Sequence, residues 1–105
     1  MSYYGMYHIT LALLFKAGIK CENHTGTILL LKEIFKREEL SKKLKFAKRE
    51  RVNSQYYADE ETTREESKTL LDLSKSYSTR LKNLIEKLNN EEITKVRQRI
   101  KNHSN

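Results

Sequence analysis

Apolar residues recur at steps of three and four along most of this chain, and that spacing marks helices. Leu40, Leu44 and Ala47 form one such stripe in a segment that starts around Glu38. Leu70, Ser74, Tyr77, Leu81, Leu84 and Leu88 form a longer one, with heptad-like steps that predict a helix packed along a single seam. Thr63-Arg64-Glu65-Glu66 ahead of it matches a capping box, in which a hydroxyl and a carboxylate satisfy free amides of the first turn. The opening segment behaves differently. Tyr3, Tyr4, Met6, Tyr7, Ile9, Leu11, Leu13, Leu14 and Phe15 cover more than one face, as expected of a central helix from about Ser2 to Ala17 that ends at Gly18. A second helix starts near Asn23 to Thr25 and carries Ile28, Leu29, Leu30, Leu31, Ile34 and Phe35. After Asn89-Asn90, Glu91 to Lys101 read as a short amphipathic piece, helical or frayed, with Ile93, Val96 and Ile100. Short connections between long helices imply antiparallel neighbours, so the expectation is an all-α, up-and-down helical bundle forming one domain over residues 1–105.

Composition supports that reading. Proline is absent, glycine occurs three times, and 37% hydrophobic against 33% charged residues over 105 positions allow one modest core. The lone cysteine, Cys21, and the lack of a secretory-type leader lead us to expect a cytoplasmic protein. The apolar run Ile9–Phe15 is bracketed by His8 and Lys16 and is far short of the roughly 20 residues that span a bilayer, so no membrane association is expected.

The formal net charge is +7, and it is unevenly spread. Lys36 to Arg51 holds eight basic residues against three acidic ones, a local net of +5, which could face phosphate or form a solvated helix surface. Asp59 to Glu66 reverses the sign. The Leu40–Leu44–Ala47 stripe continues by four to Arg51, a charge where the pattern calls for a buried or groove-facing residue. Cys21 and His24 have a spacing seen in zinc sites, but no second ligand pair follows, and neither a metal nor a cofactor is expected. His24 is expected to cap or steady the turn before the second helix, and His8, in line with Tyr4, Leu11 and Phe15, to sit in the core or at an interface.

Several short motifs occur together in a suggestive order. Ser2-Tyr3-Tyr4-Gly5-Met6-Tyr7-His8 resembles the S-Y-Y-A-M-F-H helix of the HEPN domain family, the nucleotide-related domain of higher eukaryotes and prokaryotes. Asn23-His24-Thr25-Gly26 is similar to that family's T-H-x-G turn, and Arg51-Val52-Asn53-Ser54-Gln55-Tyr56-Tyr57 to its R-x-x-A-D-Y element. The resemblance implies a further amphipathic helix ahead of the Ser2–Tyr7 segment, so either a preceding segment or a partner subunit is expected to cover the first helix. It implies a homodimer, with Tyr3, Tyr4, Tyr7, His8 and Leu11 expected at its interface. It also implies a small nucleotidyltransferase as partner, in a toxin–antitoxin-type pair, and nucleotide or RNA as ligand. The residues expected to touch that ligand are Arg51, Asn53, Tyr56, Tyr57 and His24.

Catalysis is a separate question. In the ribonuclease branch of the family an Arg and a His, separated by four to six positions, act together across the dimer. Arg, a permanent cation, can hold the scissile phosphate, and His can take the proton of a 2′-hydroxyl near neutral pH. Arg51 fits the first role, but Tyr56, Tyr57 and Ala58 occupy the three positions open to the His. A phenol, with its pKa near 10, lies roughly three pH units too high to act as the base. Tyr56 or Tyr57 could instead bond a phosphate or stack a base. In another branch a Tyr just beyond the His is adenylylated, and Ala58 stands at that position here. The preferred expectation is therefore a non-catalytic binding module. The alternatives are a metal-independent ribonuclease using Arg51 with a distant His, such as His8 or His24, and a purely structural helical protein.

Overall fold

The computed structural model describes residues 3–56 and 64–103, with side chains for residues 3–51 and 68–103. Five α-helices follow one another: α1 Tyr3–Lys16, α2 His24–Glu33, α3 Glu38–Tyr56, α4 Arg64–Lys87 and α5 Asn90–His103. There is no strand among the described residues, so the chain is all-α, a helical bundle. Its extents are 47 × 27 × 18 Å.

α1 is the central element, in contact with α2, α3 and most extensively α4, while α2 lies chiefly against α3. This placement accounts for its all-round apolar surface. Met6, Leu13 and Leu14 are fully buried and Tyr3 and Tyr7 nearly so, leaving Tyr4 and Phe15 as the large exposed side chains. Leu40, Leu44 and Ala47 of α3 and Ser74, Tyr77 and Leu81 of α4 fill the core opposite, as their stripes predict. Inside that core the Thr10 hydroxyl donates to the Met6 carbonyl at 2.8 Å. Its proton is thereby committed, so the Tyr77 hydroxyl, 2.6 Å away, is the donor to Thr10 Oγ1. This buried bond cross-links α1 and α4, and burial raises the Tyr77 pKa so that its proton stays in place.

Helix ends are closed by several devices. Gly18, at φ 79, takes the left-handed residue that ends α1, with Ile19 N bonded to Leu14 O and Gly18 N to Phe15 O, both at 2.9 Å. Lys36 adopts the same left-handed conformation at φ 58 between α2 and α3, without glycine's freedom. Two C-terminal ends receive cations from distant elements: Lys16 of α1 bonds the Ile85 carbonyl of α4, and Arg99 of α5 bonds the Ile34 carbonyl at 2.9 Å.

One open alternative is decided and one expectation is changed. The tail from Glu91 is a full helix begun by an Asn89 cap, whose Oδ1 accepts from Glu92 N at 2.9 Å, and it buries Val96. The cap of α2 is Asn23, whose Oδ1 accepts from Gly26 N at 3.1 Å, and not His24, which is the first residue of the helix. Backbone geometry decides this: an Asx side chain reaches the free amides of the first turn from the cap position. The Thr63 capping box lies outside the described residues.

Candidate functional site

The start of α1, the start of α2 and the later turns of α3 meet in a cluster of aromatic and basic side chains. Asn23 starts α2 in a fixed orientation, and the ring of His24 turns back onto α1. It stacks on Tyr7 with centroids 4.0 Å apart and planes 9° from parallel, and on Tyr3 at 5.6 Å. The Tyr3 hydroxyl lies 2.6 Å from His24 Nδ1. Burial, with smaller effects of Tyr7 and Tyr4 that outweigh the opposing Arg51, pushes the Tyr3 pKa up to about 12. The phenol is therefore protonated and is the better donor of the pair, so Nδ1 accepts and the imidazole proton sits on Nε2. Burial first, then the positive charges of Lys48 and Arg51, hold the His24 pKa below its usual value. His24 is thus a neutral ring at pH 7.

α3 brings the cations. Its stripe points Leu40, Leu44 and Ala47 into the core, and one turn later Arg51 emerges at the rim against Tyr4. The Arg51 guanidinium lies 4.1 Å from the Tyr4 ring centroid, and its Nη2 donates to the Tyr4 hydroxyl at 2.5 Å. A cation held over an aromatic face is worth about 0.5–2 kcal/mol, depending on exposure. Lys48, one turn earlier, donates to Thr25 Oγ1 at 3.4 Å. Among the described residues neither Lys48 nor Arg51 pairs with a carboxylate, and neither do Lys45 and Arg49. Glu50, Asp59 and Glu61 are the acidic residues near Arg51 in the sequence that could pair with it. Glu50 does not take that role, and the other two lie outside the described residues.

The residues named from the sequence are thus divided. Arg51 and His24 come together around Tyr3 and Tyr4. Asn53 and Tyr56 belong to the last turns of α3, but their side chains lie outside the described residues, as does Tyr57 altogether. Of the α1 residues considered for a dimer interface, Tyr3 and Tyr7 are buried against residues of this same chain. Leu11 is half-buried, and Tyr4 and His8 are exposed with their rings 6.3 Å apart. Lys48 and Thr25 were missed as members of the site. Lys48 sits three residues before Arg51, on the same helical face, and that spacing was the available signal. Cys21 Sγ contacts the Asn23 carbonyl at 3.5 Å, and among the described residues no three His, Cys, Asp or Glu side chains converge as metal ligands. No helix of the described residues is long and apolar enough to cross a membrane.

The arrangement suits binding of an anion with an unsaturated ring system. Two cations without a carboxylate partner among the described residues are of the kind that can contact phosphate, and an exposed tyrosine beneath one of them has a face on which a base could stack. A family model described as HEPN domain matches residues 1–84. No curated protein and no solved structure matches the chain.

Proposed function

The chain belongs to the HEPN domain family, whose members are nucleotide- or RNA-related helical modules, and from that membership we propose that it binds RNA as a homodimer without cleaving it. The observation that carries the reading is the Arg51 guanidinium held over Tyr4, beside Lys48 and without a carboxylate partner among the described residues. Arg51 and Lys48 contact phosphate, Tyr4 offers its ring to a base, and Asn53, Tyr56 and Tyr57, named from the family resemblance, are proposed as further RNA contacts. His8, exposed on α1, meets its counterpart in the second copy, and dimerisation is common among the family's domains. The pairing with a small nucleotidyltransferase in a toxin–antitoxin-type system is the biological setting that fits a module of this kind.

A ribonuclease is the second reading, favoured by His24, which stands near Arg51 and is neutral at pH 7, as a general base must be. Against it, the His24 ring is clamped by the Tyr7 stack and its Nδ1 is engaged by Tyr3. Fluorescence anisotropy with single-stranded RNA tests both. Arg51→Ala is expected to weaken binding at least about tenfold, and Lys48→Ala to lower the salt slope by about 0.7, one phosphate contact. Intact RNA after prolonged incubation supports the binding module. Cleavage abolished by both Arg51→Ala and His24→Ala would replace it with the enzyme.

A further inference from the structure

A second cationic cleft lies at the other end of α3, about 20 Å along the helix from Arg51 at 1.5 Å per residue. Arg37, Leu40, Arg80, Asn83, Leu84 and Lys87 line a cavity of about 320 Å³ between the start of α3 and the last turns of α4. Three of these six side chains are permanent or near-permanent cations. The carboxylate paired with this group is that of Glu39, and it is shared: Arg80 approaches it at 3.1 Å and Lys43 at 3.3 Å. Those two bonds hold the Glu39 carboxyl below the usual carboxylate range, so it stays anionic and is already committed. Arg37 and Lys87 have no carboxylate partner among the described residues.

Lys87 has an ordinary reason to be where it is, since a cation at the C-terminal end of α4 meets the negative end of the helix dipole. Arg37 has none. Its carbonyl accepts the first bond of α3, from Ser41 N at 3.0 Å, which makes it the cap residue. A cation at that place faces the positive end of the dipole and lacks the acceptor that Ser, Thr, Asp or Asn would supply. The fold would be better served at position 37 by Ser, Thr, Asp or Asn. Leu40, fully buried, and Leu84, half-buried, form an apolar floor that strengthens any charge pairing above it. The cavity is at the small end of those that hold organic ligands, and its two uncommitted cations with Asn83 match a compact polyanion.

We propose that this cleft binds a diphosphate group, either as free pyrophosphate or as the diphosphate of a larger molecule, independently of the Arg51 site. Arg37 and Lys87 neutralise it, Arg80 shifts part of its bonding from Glu39 to the ligand, and Asn83 donates its amide. The test is calorimetric titration of the full chain with inorganic pyrophosphate, with ADP and with inorganic phosphate. Saturable binding of pyrophosphate is expected, at least tenfold tighter than phosphate and weakened at least tenfold in Arg37→Gln/Lys87→Gln. That double variant should keep its affinity for single-stranded RNA within about twofold, whereas Arg51→Ala should keep pyrophosphate binding, so the two sites fail separately. ADP bound equally tightly identifies the diphosphate alone as the determinant, and ADP bound at least tenfold tighter assigns the cleft to a larger diphosphate ester. Both residues are exposed, and helix content by circular dichroism checks the double variant, with Lys87→Glu as an independent second variant. Failure of both pyrophosphate and ADP to saturate, or binding untouched by either variant, overturns the proposal.

Discussion

The two halves of α3 carry the same kind of charge and use it differently. In the first half Lys42 and Lys43 stand four residues after Glu38 and Glu39, and each pairs with its glutamate, at 3.7 and 3.3 Å. These are exposed i,i+4 pairs of small energetic weight, but they offset the charge of the two lysines. In the second half Lys45, Lys48 and Arg49 have no acidic residue four positions before them, and Arg51 follows Ala47. Among the described residues Arg51 meets Tyr4, Lys48 meets Thr25 and none of the four meets a carboxylate, and the proposed function gives their charge to RNA. A local net of +5 therefore describes neither half. Binding capacity depends on which cations are uncommitted, and that is decided by spacing to acidic residues more than by their number.

The largest effect that could break this contrast is charge reversal. Lys48→Glu/Arg51→Glu is expected to weaken RNA binding about 100-fold or more by fluorescence anisotropy, and Lys42→Glu/Lys43→Glu by about threefold at most. Equal losses would mean that the whole stretch acts as one undifferentiated field. A smaller effect runs the other way. Glu38→Gln/Glu39→Gln frees the paired lysines, so affinity should rise by about three- to tenfold, with a steeper salt dependence and little change in Tm.

His24 sharpens the comparison through pH. Lys48 and Arg51 add to burial in depressing its pKa, so the unfolded chain binds a proton at this position more readily than the folded one. The stability tied to His24 is therefore complete above about pH 6.5 and is lost as pH falls below it. Thermal melts between pH 7.5 and 5 should show the loss, with a shallower slope in Lys48→Ala and the smallest slope in His24→Gln. The least effect concerns Lys36, at the entry to the quiet half. Relief of its left-handed backbone by Lys36→Gly should leave Tm unchanged or raise it by a few degrees, equivalent to about 0.5 kcal/mol.

Much of this was legible from periodicity. The stripes of α3 and α4 marked Leu44, Ala47, Tyr77 and Leu81 as core, and the break in the stripe at Arg51 marked the rim, because a repeat of 3.6 residues translates directly into a face. Gly18 marked the end of α1 because a left-handed residue is needed there. The partners joined across long separations were not legible. Tyr3 with His24 and Thr10 with Tyr77 lie 21 and 67 residues apart, and nothing in local spacing says which polar side chain will face which. The same gap explains the reading of His24 as a turn residue: its backbone sits at the turn while its ring belongs to α1. The resemblance through short motifs found the family, and it placed Arg51 and His24 among the candidates without indicating that Lys48 and Thr25 stand beside them.

α5 bears on the limits of the unit that folds. It lies beyond the matched residues 1–84, yet its Val96 is buried in the common core, as is Leu88 in the connection before it, and Arg99 holds the end of α2 through Ile34. Because one side chain of the last helix closes the carbonyl end of the second, unlatching α5 exposes the α2 terminus at the same moment. Amides near Ile34 and near Val96 should therefore exchange with solvent in a single cooperative opening. The stretch of sequence that inheritance recognises and the stretch that physics stabilises have different edges, and a chain cut at the first would lack the latch that closes the second.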